Sequence, residues 1–119
     1  GGQMIKIKRI YESADKADGF RILIDRLWPR GISKEKAKLD LWLKEIAPSD
    51  SLRKWFGHDL KKCESFKERY FSELESKQDA LDQIPAHSNG KTVTLLYGAK
   101  EEGCNNATAL KEYLEKRKK

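Results

Sequence analysis

The pattern of apolar and polar residues predicts short strands separated by helices. Residues 4–11 alternate Ile5 and Ile7 with lysines, which is typical of a half-buried strand near a sheet edge. Residues 20–25, Phe-Arg-Ile-Leu-Ile-Asp, are nearly all apolar and predict a strand buried on both faces. Residues 92–97 give the strongest strand pattern, whereas residues 39–46 alternate leucines with other side chains and favour an extended segment.

The remaining apolar residues recur at helical spacing, and capping or helix-breaking residues mark the ends of each segment. The predicted segments are a short turn after Ser33, a helix from Asp50 or Ser51 to Gly57, an amphipathic helix over 60–76, a helix over 78–84 that stops at Pro85, a turn at 89–90, and a final helix capped by Asn105 or Asn106.

This order of elements predicts the fold class. Strands separated by helices indicate an α/β domain with a small, mostly parallel sheet and helices packed on it in a three-layer, Rossmann-like arrangement. Ligands of such sheets bind outside the carboxyl ends of the strands. The loops at 26–31 and 97–106 follow two predicted strands, so we expect them at one edge of the sheet.

Composition narrows the class of protein. The 119 residues, 38% hydrophobic and 37% charged, fit a single domain, which we assign to residues 4–119, with 1–3 interpreted as a cloning remnant. No apolar run approaches the roughly 20 residues that span a bilayer, and the N-terminus lacks the apolar stretch of a signal peptide. We therefore expect no membrane association and a cytoplasmic location. The net charge of +6 would allow weak nucleic-acid binding.

The sequence "DRLWPRG" at residues 25–31 is the first candidate for chemistry. Arg26 and Arg30 directly follow a predicted strand, and a guanidinium presents a planar fork that suits a phosphate or carboxylate. Trp28 would stack on a ring of the ligand. The alternative is structural: Asp25 pairs with an arginine, and Trp28 packs in the core.

Three further residues in the middle of the chain belong to the candidate site. Lys44 and Arg53 lie beside apolar anchors; Lys44 is predicted to hold the anion together with Arg26 and Arg30, with Arg53 in support. His58 follows a helix end and is a candidate general acid or base, since its reference pKa is near 6.5; the alternative is a favourable interaction with the helix dipole. Histidines, cysteines and acids are too dispersed for a metal site, so we expect no metal and no cofactor.

The second loop supplies an anion-binding helix N-terminus. Tyr97 ends the strongest strand and would offer an aromatic wall, and Asn105 and Asn106 precede a helix whose first N–H groups are free. Cys104 at that position is a candidate nucleophile, because a helix N-terminus lowers the pKa of a thiol. Two cysteines do not make a disulfide framework, and we interpret Cys63 as a small hydrophobe or an ordinary thiol.

Several segments together resemble the domain of unknown function 488 family, in its short YeaO-like branch. The resemblance is carried by "DRLWPRG", "LDLWLKEIAPS", "LRKWFGHD", "FKERYFSEL" and "VTLLYGAKEEGCNNATALKEYL", in order along nearly the whole chain. It implies a compact α/β domain from bacteria or archaea and supplies no reaction. The motif positions that carry over are Asp25, Arg26, Trp28, Pro29, Arg30, Trp42, Lys44, Arg53, Trp55, His58, Tyr97 and Asn106; Cys104 stands where the branch often has histidine.

Two hypotheses of function remain open at this point. The first is a small enzyme or binding domain for an anionic small molecule that bears phosphate, such as a nucleotide. The second is a nucleic-acid-associated or protein-interaction module that uses the basic surface without catalysis. A third reading is that the arginines only clamp the fold through Asp25 and Asp40. The sequence does not predict an oligomeric state.

Overall fold

The structure, a computed structural model, describes residues 4–57, 59–88 and 92–117. The strands are β1 (Ile5–Arg9), β2 (Phe20–Leu23), β3 (Leu41–Trp42) and β4 (Val93–Tyr97). The α-helices are α1 (Lys34–Ala37), α2 (Asp50–Phe56), α3 (Cys63–Leu74), α4 (Gln78–Ser88) and α5 (Asn106–Arg117), and short 3-10 helices lie at Lys16–Asp18, Lys44–Ile46 and Leu60–Lys62.

The four strands form one parallel sheet in the order β1-β4-β2-β3, which confirms the predicted α/β fold. β4 pairs with β1 on one side and β2 on the other, and all five of its residues are buried. β1 lies at an edge, as its alternating lysines predict, and the two-residue β3 forms the other edge. Because β2 and β4 are parallel neighbours, the loops that follow them begin at the same edge of the sheet.

Alternate residues of the central strands point to opposite faces, so the core has two parts. Ile22 and Leu95 belong to the larger cluster, which α2, α3, α4 and α5 cover. Leu23 and Leu96 face the other way, against Ala37 of α1 and the loop that follows β2. The sheet is thus enclosed between two layers. No helix within the described ranges is long and apolar enough to cross a membrane.

Three boundaries differ from the prediction. The side chain of Ser49, one residue before the predicted caps, accepts a hydrogen bond from the Leu52 N–H and begins α2; the same helix ends, as predicted, at Gly57, where φ is 53°. Helix α4 continues beyond Pro85 to Ser88. A proline in a helix interior is unfavourable, since it removes one backbone hydrogen bond, but it does not always end the helix. The segment at 39–46 is extended only at β3 and then turns into a 3-10 helix. The predicted turn at 89–90 lies outside the described residues.

Candidate functional site

A pocket of about 290 Å³ lies at the carboxyl ends of β2 and β4. Its position is the one that parallel sheets use for ligands. The wall is built from the loop after β2, from α2 and α3, and from the segment that leads into α5. The lining residues are Asp25, Arg26, Leu27, Pro48, Arg53, Lys54, Phe56, Phe66, Ala99, Asn105 and Asn106.

Asp25 fixes the two loops to each other. Its Oδ2 accepts a hydrogen bond of 2.8 Å from the Gly98 N–H, and its Oδ1 accepts one of 2.9 Å from Nδ2 of Asn106. Burial raises the pKa of Asp25 above its ordinary value, against the opposing effects of these two hydrogen bonds and of the Arg53 charge. The alternative in which Asp25 pairs with an arginine is therefore wrong, since no ion pair of Asp25 occurs among the described residues.

Two of the predicted cations meet in the pocket. Arg26 is half-buried, and its Nε and Nη2 donate to the Pro48 carbonyl oxygen over long distances of 3.4 and 3.3 Å. Within the described ranges its guanidinium has no carboxylate partner. Arg53 on α2 is more exposed and reaches Asp50 at 3.2 Å, a surface pair of little energetic weight. Lys54, beside it on α2, adds a third positive charge.

The aromatic part of the pocket comes from other residues than those predicted. Phe56 and Phe66 line it and stack on each other with ring centroids 4.3 Å apart. Trp28 lies in the smaller cluster instead, where it packs edge-on against Trp42 and donates to the Ile32 carbonyl. Tyr97 is 3% exposed in the larger cluster, so neither predicted aromatic wall residue contacts the pocket.

Two predicted cations also lie away from the pocket. Arg30 is exposed in the same loop as Arg26, and its carbonyl oxygen accepts a hydrogen bond from Tyr11. Lys44 is exposed and sits over the ring of Trp42 at 4.7 Å from the centroid. Neither Arg30 nor Lys44 lines the pocket.

The two asparagines occupy the predicted position and have different roles. Asn105 caps α5: its Oδ1 accepts from the Thr108 N–H, its own N–H donates to the Thr108 hydroxyl, and its Nδ2 donates to the Glu101 carbonyl. Asn106 begins the helix and turns its side-chain amide towards Asp25 and the Ile24 carbonyl oxygen. Both line the pocket, so the N-terminus of α5 lies beside it.

The cysteines correct the prediction of two separate thiols. Cys63, at the start of α3, and Cys104, before α5, form a disulfide. A disulfide sulfur is not a thiolate, so this arrangement contradicts a nucleophilic role for Cys104. The bond was missed because residues 41 positions apart give no sign in the sequence that they meet. His58, the predicted proton carrier, lies outside the described residues.

Apart from Arg53, the pocket residues contributed by α2 and α3 were not predicted from the sequence. Lys54 and Phe56 lie on α2, and Phe66 on α3, where their spacing indicates only an amphipathic helix. Apart from its place among the family's motif positions, Asp25 was predicted only as an ion-pair partner for an arginine. Its position directly after a buried strand was the available signal, because polar groups there face the ligand edge of a parallel sheet.

Comparison with known proteins places the chain in a family. The family described as "Inactive DUF488-N3 subclade" matches residues 4–119. The uncharacterized protein YeaO of Escherichia coli is 42% identical over 110 residues, which are 92% of this chain and 96% of that protein. The uncharacterized proteins Mb3100c of Mycobacterium bovis and Rv3073c of Mycobacterium tuberculosis are each 33% identical over 110 residues, 92% of either chain. No solved structure matches. The chain therefore belongs to the DUF488 family, to the subclade described as inactive, and is similar to YeaO.

Proposed function

We propose that this domain binds a small anionic ligand in the pocket at the carboxyl ends of β2 and β4 and does so without catalysing a reaction. The observation that carries the proposal is the half-buried Arg26, which lines the pocket and has no carboxylate partner in the described part of the chain. Partly burying a charge costs free energy unless it is compensated. A bound anion supplies that compensation.

The neighbouring charges support an anion. Arg53 and Lys54 line the same pocket, so its lining carries three cations and one carboxylate. Guanidinium groups bind phosphate and carboxylate through paired hydrogen bonds, and such charge-assisted bonds are roughly twice as strong as neutral ones. The N-terminus of α5 adds the positive end of a 12-residue helix dipole.

The pocket volume indicates the size of the ligand. About 290 Å³ lies just below the usual range of roughly 300–1,000 Å³ for small-molecule sites. A phosphate ester or a short carboxylic acid fits inside this volume. Phe56 and Phe66 offer an apolar surface to a short hydrocarbon portion of the ligand.

Binding without catalysis agrees with the chemistry of the described residues. The Cys104 sulfur is held in a disulfide, and both oxygens of Asp25 already accept hydrogen bonds from the protein. The family description, "inactive", points the same way. These groups position a ligand rather than transform it.

Isothermal titration with ethyl phosphate at low ionic strength tests the proposal. We expect Arg26→Ala to weaken binding by about 10- to 100-fold, which corresponds to losing a charged hydrogen bond of roughly 1.5–3 kcal/mol. The melting temperature should stay nearly unchanged, since Arg26 pairs with no acid. Arg30→Ala is the matched control, because Arg30 lies in the same loop and does not line the pocket; it should change affinity less than twofold.

Equal losses in the two variants would contradict the proposal, and so would a failure both of ethyl phosphate and of phosphate monoesters with a further polar group to bind. The competing hypothesis, a nucleic-acid-binding module, predicts a different result. An oligonucleotide would bind with an affinity that falls steeply with salt, at a slope of several released counterions, and Arg26→Ala and Arg30→Ala would reduce that slope equally.

A further inference from the structure

We infer that the pocket selects anions that also carry a hydrogen-bond donor, an ammonium or hydroxyl group, a short hydrocarbon distance from the anionic group. This inference rests on the proposed function and names its ligand class. It follows from the position of Asp25, a carboxylate that lines a pocket otherwise charged by Arg26, Arg53 and Lys54.

Asp25 has acceptor capacity to spare. Each oxygen of an ionised carboxylate offers about two acceptor sites, and each oxygen of Asp25 accepts one N–H from the protein. Among the described residues, no lysine or arginine lies within ion-pairing distance of it. The pocket therefore presents an acceptor whose orientation is already fixed from two sides, by Gly98 and Asn106.

A ligand that is only an anion leaves this acceptor unsatisfied and is repelled by it. The repulsion acts in a partly buried site, where water screens it weakly. A ligand with an ammonium or hydroxyl group directed at Asp25 replaces the repulsion with a charge-assisted hydrogen bond. Asp25 thus discriminates against plain anions and favours bifunctional ones.

The arrangement of the elements matches such a ligand. Arg53 and Lys54 are carried by α2, whereas Asp25 is tied to the end of β4 and the start of α5. Phe56 and Phe66 line the same pocket and suit a short apolar spacer. The shared chemistry is that of an aminoalkyl or hydroxyalkyl phosphate, or of an amino or hydroxy acid.

The experiment compares four probes on the wild-type protein by isothermal titration. Ethyl phosphate has no donor, and 2-hydroxyethyl phosphate adds a hydroxyl without changing the charge. O-phosphoethanolamine carries an ammonium donor, and phosphocholine carries the same charge without an N–H. We expect 2-hydroxyethyl phosphate and O-phosphoethanolamine to bind about tenfold more tightly than ethyl phosphate, the effect of one hydrogen bond. Phosphocholine should bind several-fold more weakly than O-phosphoethanolamine.

Asp25→Asn provides the second measurement. It should remove the preference. O-phosphoethanolamine and ethyl phosphate should then bind with affinities that differ by no more than about threefold, because only long-range electrostatic effects still distinguish the two probes. If that variant does not fold, the four probes on the wild-type protein decide the question alone. Binding of ethyl phosphate without any preference for the donor-bearing probes overturns the inference and leaves the proposed function standing. Failure of all four probes to bind overturns both.

Discussion

Reducing the Cys63–Cys104 disulfide is expected to lower the free energy of unfolding by about 4 kcal/mol. The bond joins residues 41 positions apart, and in the chain-entropy description a cross-link of that span removes roughly this much loop-closure entropy from the unfolded state. That is a large part of the roughly 5–15 kcal/mol that stabilises an ordinary domain. The bond also lies beside the pocket, since Cys104 precedes Asn105 and Cys63 begins the helix that carries Phe66.

Urea denaturation with and without dithiothreitol measures the effect. The matched control is the double variant Cys63→Ser with Cys104→Ser, which should have the stability of the reduced protein and no response to the reductant. A difference below about 1 kcal/mol between the oxidised and reduced wild-type protein would show that the cross-link constrains little of the unfolded chain.

Replacing Asp18 with asparagine is expected to lower the free energy of unfolding by about 3 kcal/mol. Asp18 and Arg21 are each 4% exposed and form an ion pair of 2.5 Å, and Lys8 contacts the same carboxylate at 3.1 Å. Removing the negative charge leaves the Arg21 guanidinium buried without a counter-charge, which costs roughly 3–5 kcal/mol. We expect the lower end of this range because Lys8 is 19% exposed, so the charged group formed by Lys8, Asp18 and Arg21 lies near solvent.

The pH dependence of stability provides a second readout for Asp18. Burial favours the protonated acid, but hydrogen bonds from the Asp15 backbone, Lys8 and Arg21 outweigh it and hold the pKa of Asp18 below its ordinary value. This stabilisation is present above the unfolded pKa of about 3.9 and is lost as the pH falls through the lower folded pKa. The Asp18→Asn variant should therefore lose less stability than the wild-type protein between pH 5 and the acid limit.

Glu115→Gln is the control for both measurements. Glu115 is 56% exposed and faces Lys111 at 3.8 Å on α5, so its removal should change stability by less than about 0.5 kcal/mol. The assignment of Asp18 as a buried structural anion would be contradicted by either of two results. One is an equal loss of unfolding free energy in the Asp18 and Glu115 variants. The other is the same loss of stability below pH 5 in the Asp18 variant and the wild-type protein.

The sheet was predictable because its central strands are apolar on both faces. Because β2 and β4 are covered on both faces, apolar residues occupy successive positions along them rather than alternate ones. This continuous apolar run is visible in the sequence. Local sequence does not determine the helix ends as closely. Three neighbouring polar residues, Ser49, Asp50 and Ser51, are all capable caps, and the Ser49 hydroxyl is selected by its contact with Glu73, which is distant in sequence.

The candidate site was predictable mainly where it follows the sheet, and Arg53 on α2 is the exception. Arg26, Asn105 and Asn106 come directly after or near central strands, and topology alone brings them to one edge. The contributions of α2 and α3 depend on how those helices pack, which their periodicity does not specify. Arg30 resembles Arg26 in sequence, yet four residues along a turn suffice to carry a side chain out of the pocket. The disulfide depends on the same long-range packing.

The two outer strands of the sheet have a consequence for solubility. An unpaired strand edge is a template on which a second copy can add its own strand and begin aggregation. Here one margin is only two residues long at β3, and the other, β1, carries Lys6 and Lys8. Neither edge strand is both long and uncharged. Strand-to-strand aggregation at the two edges of the sheet is therefore disfavoured.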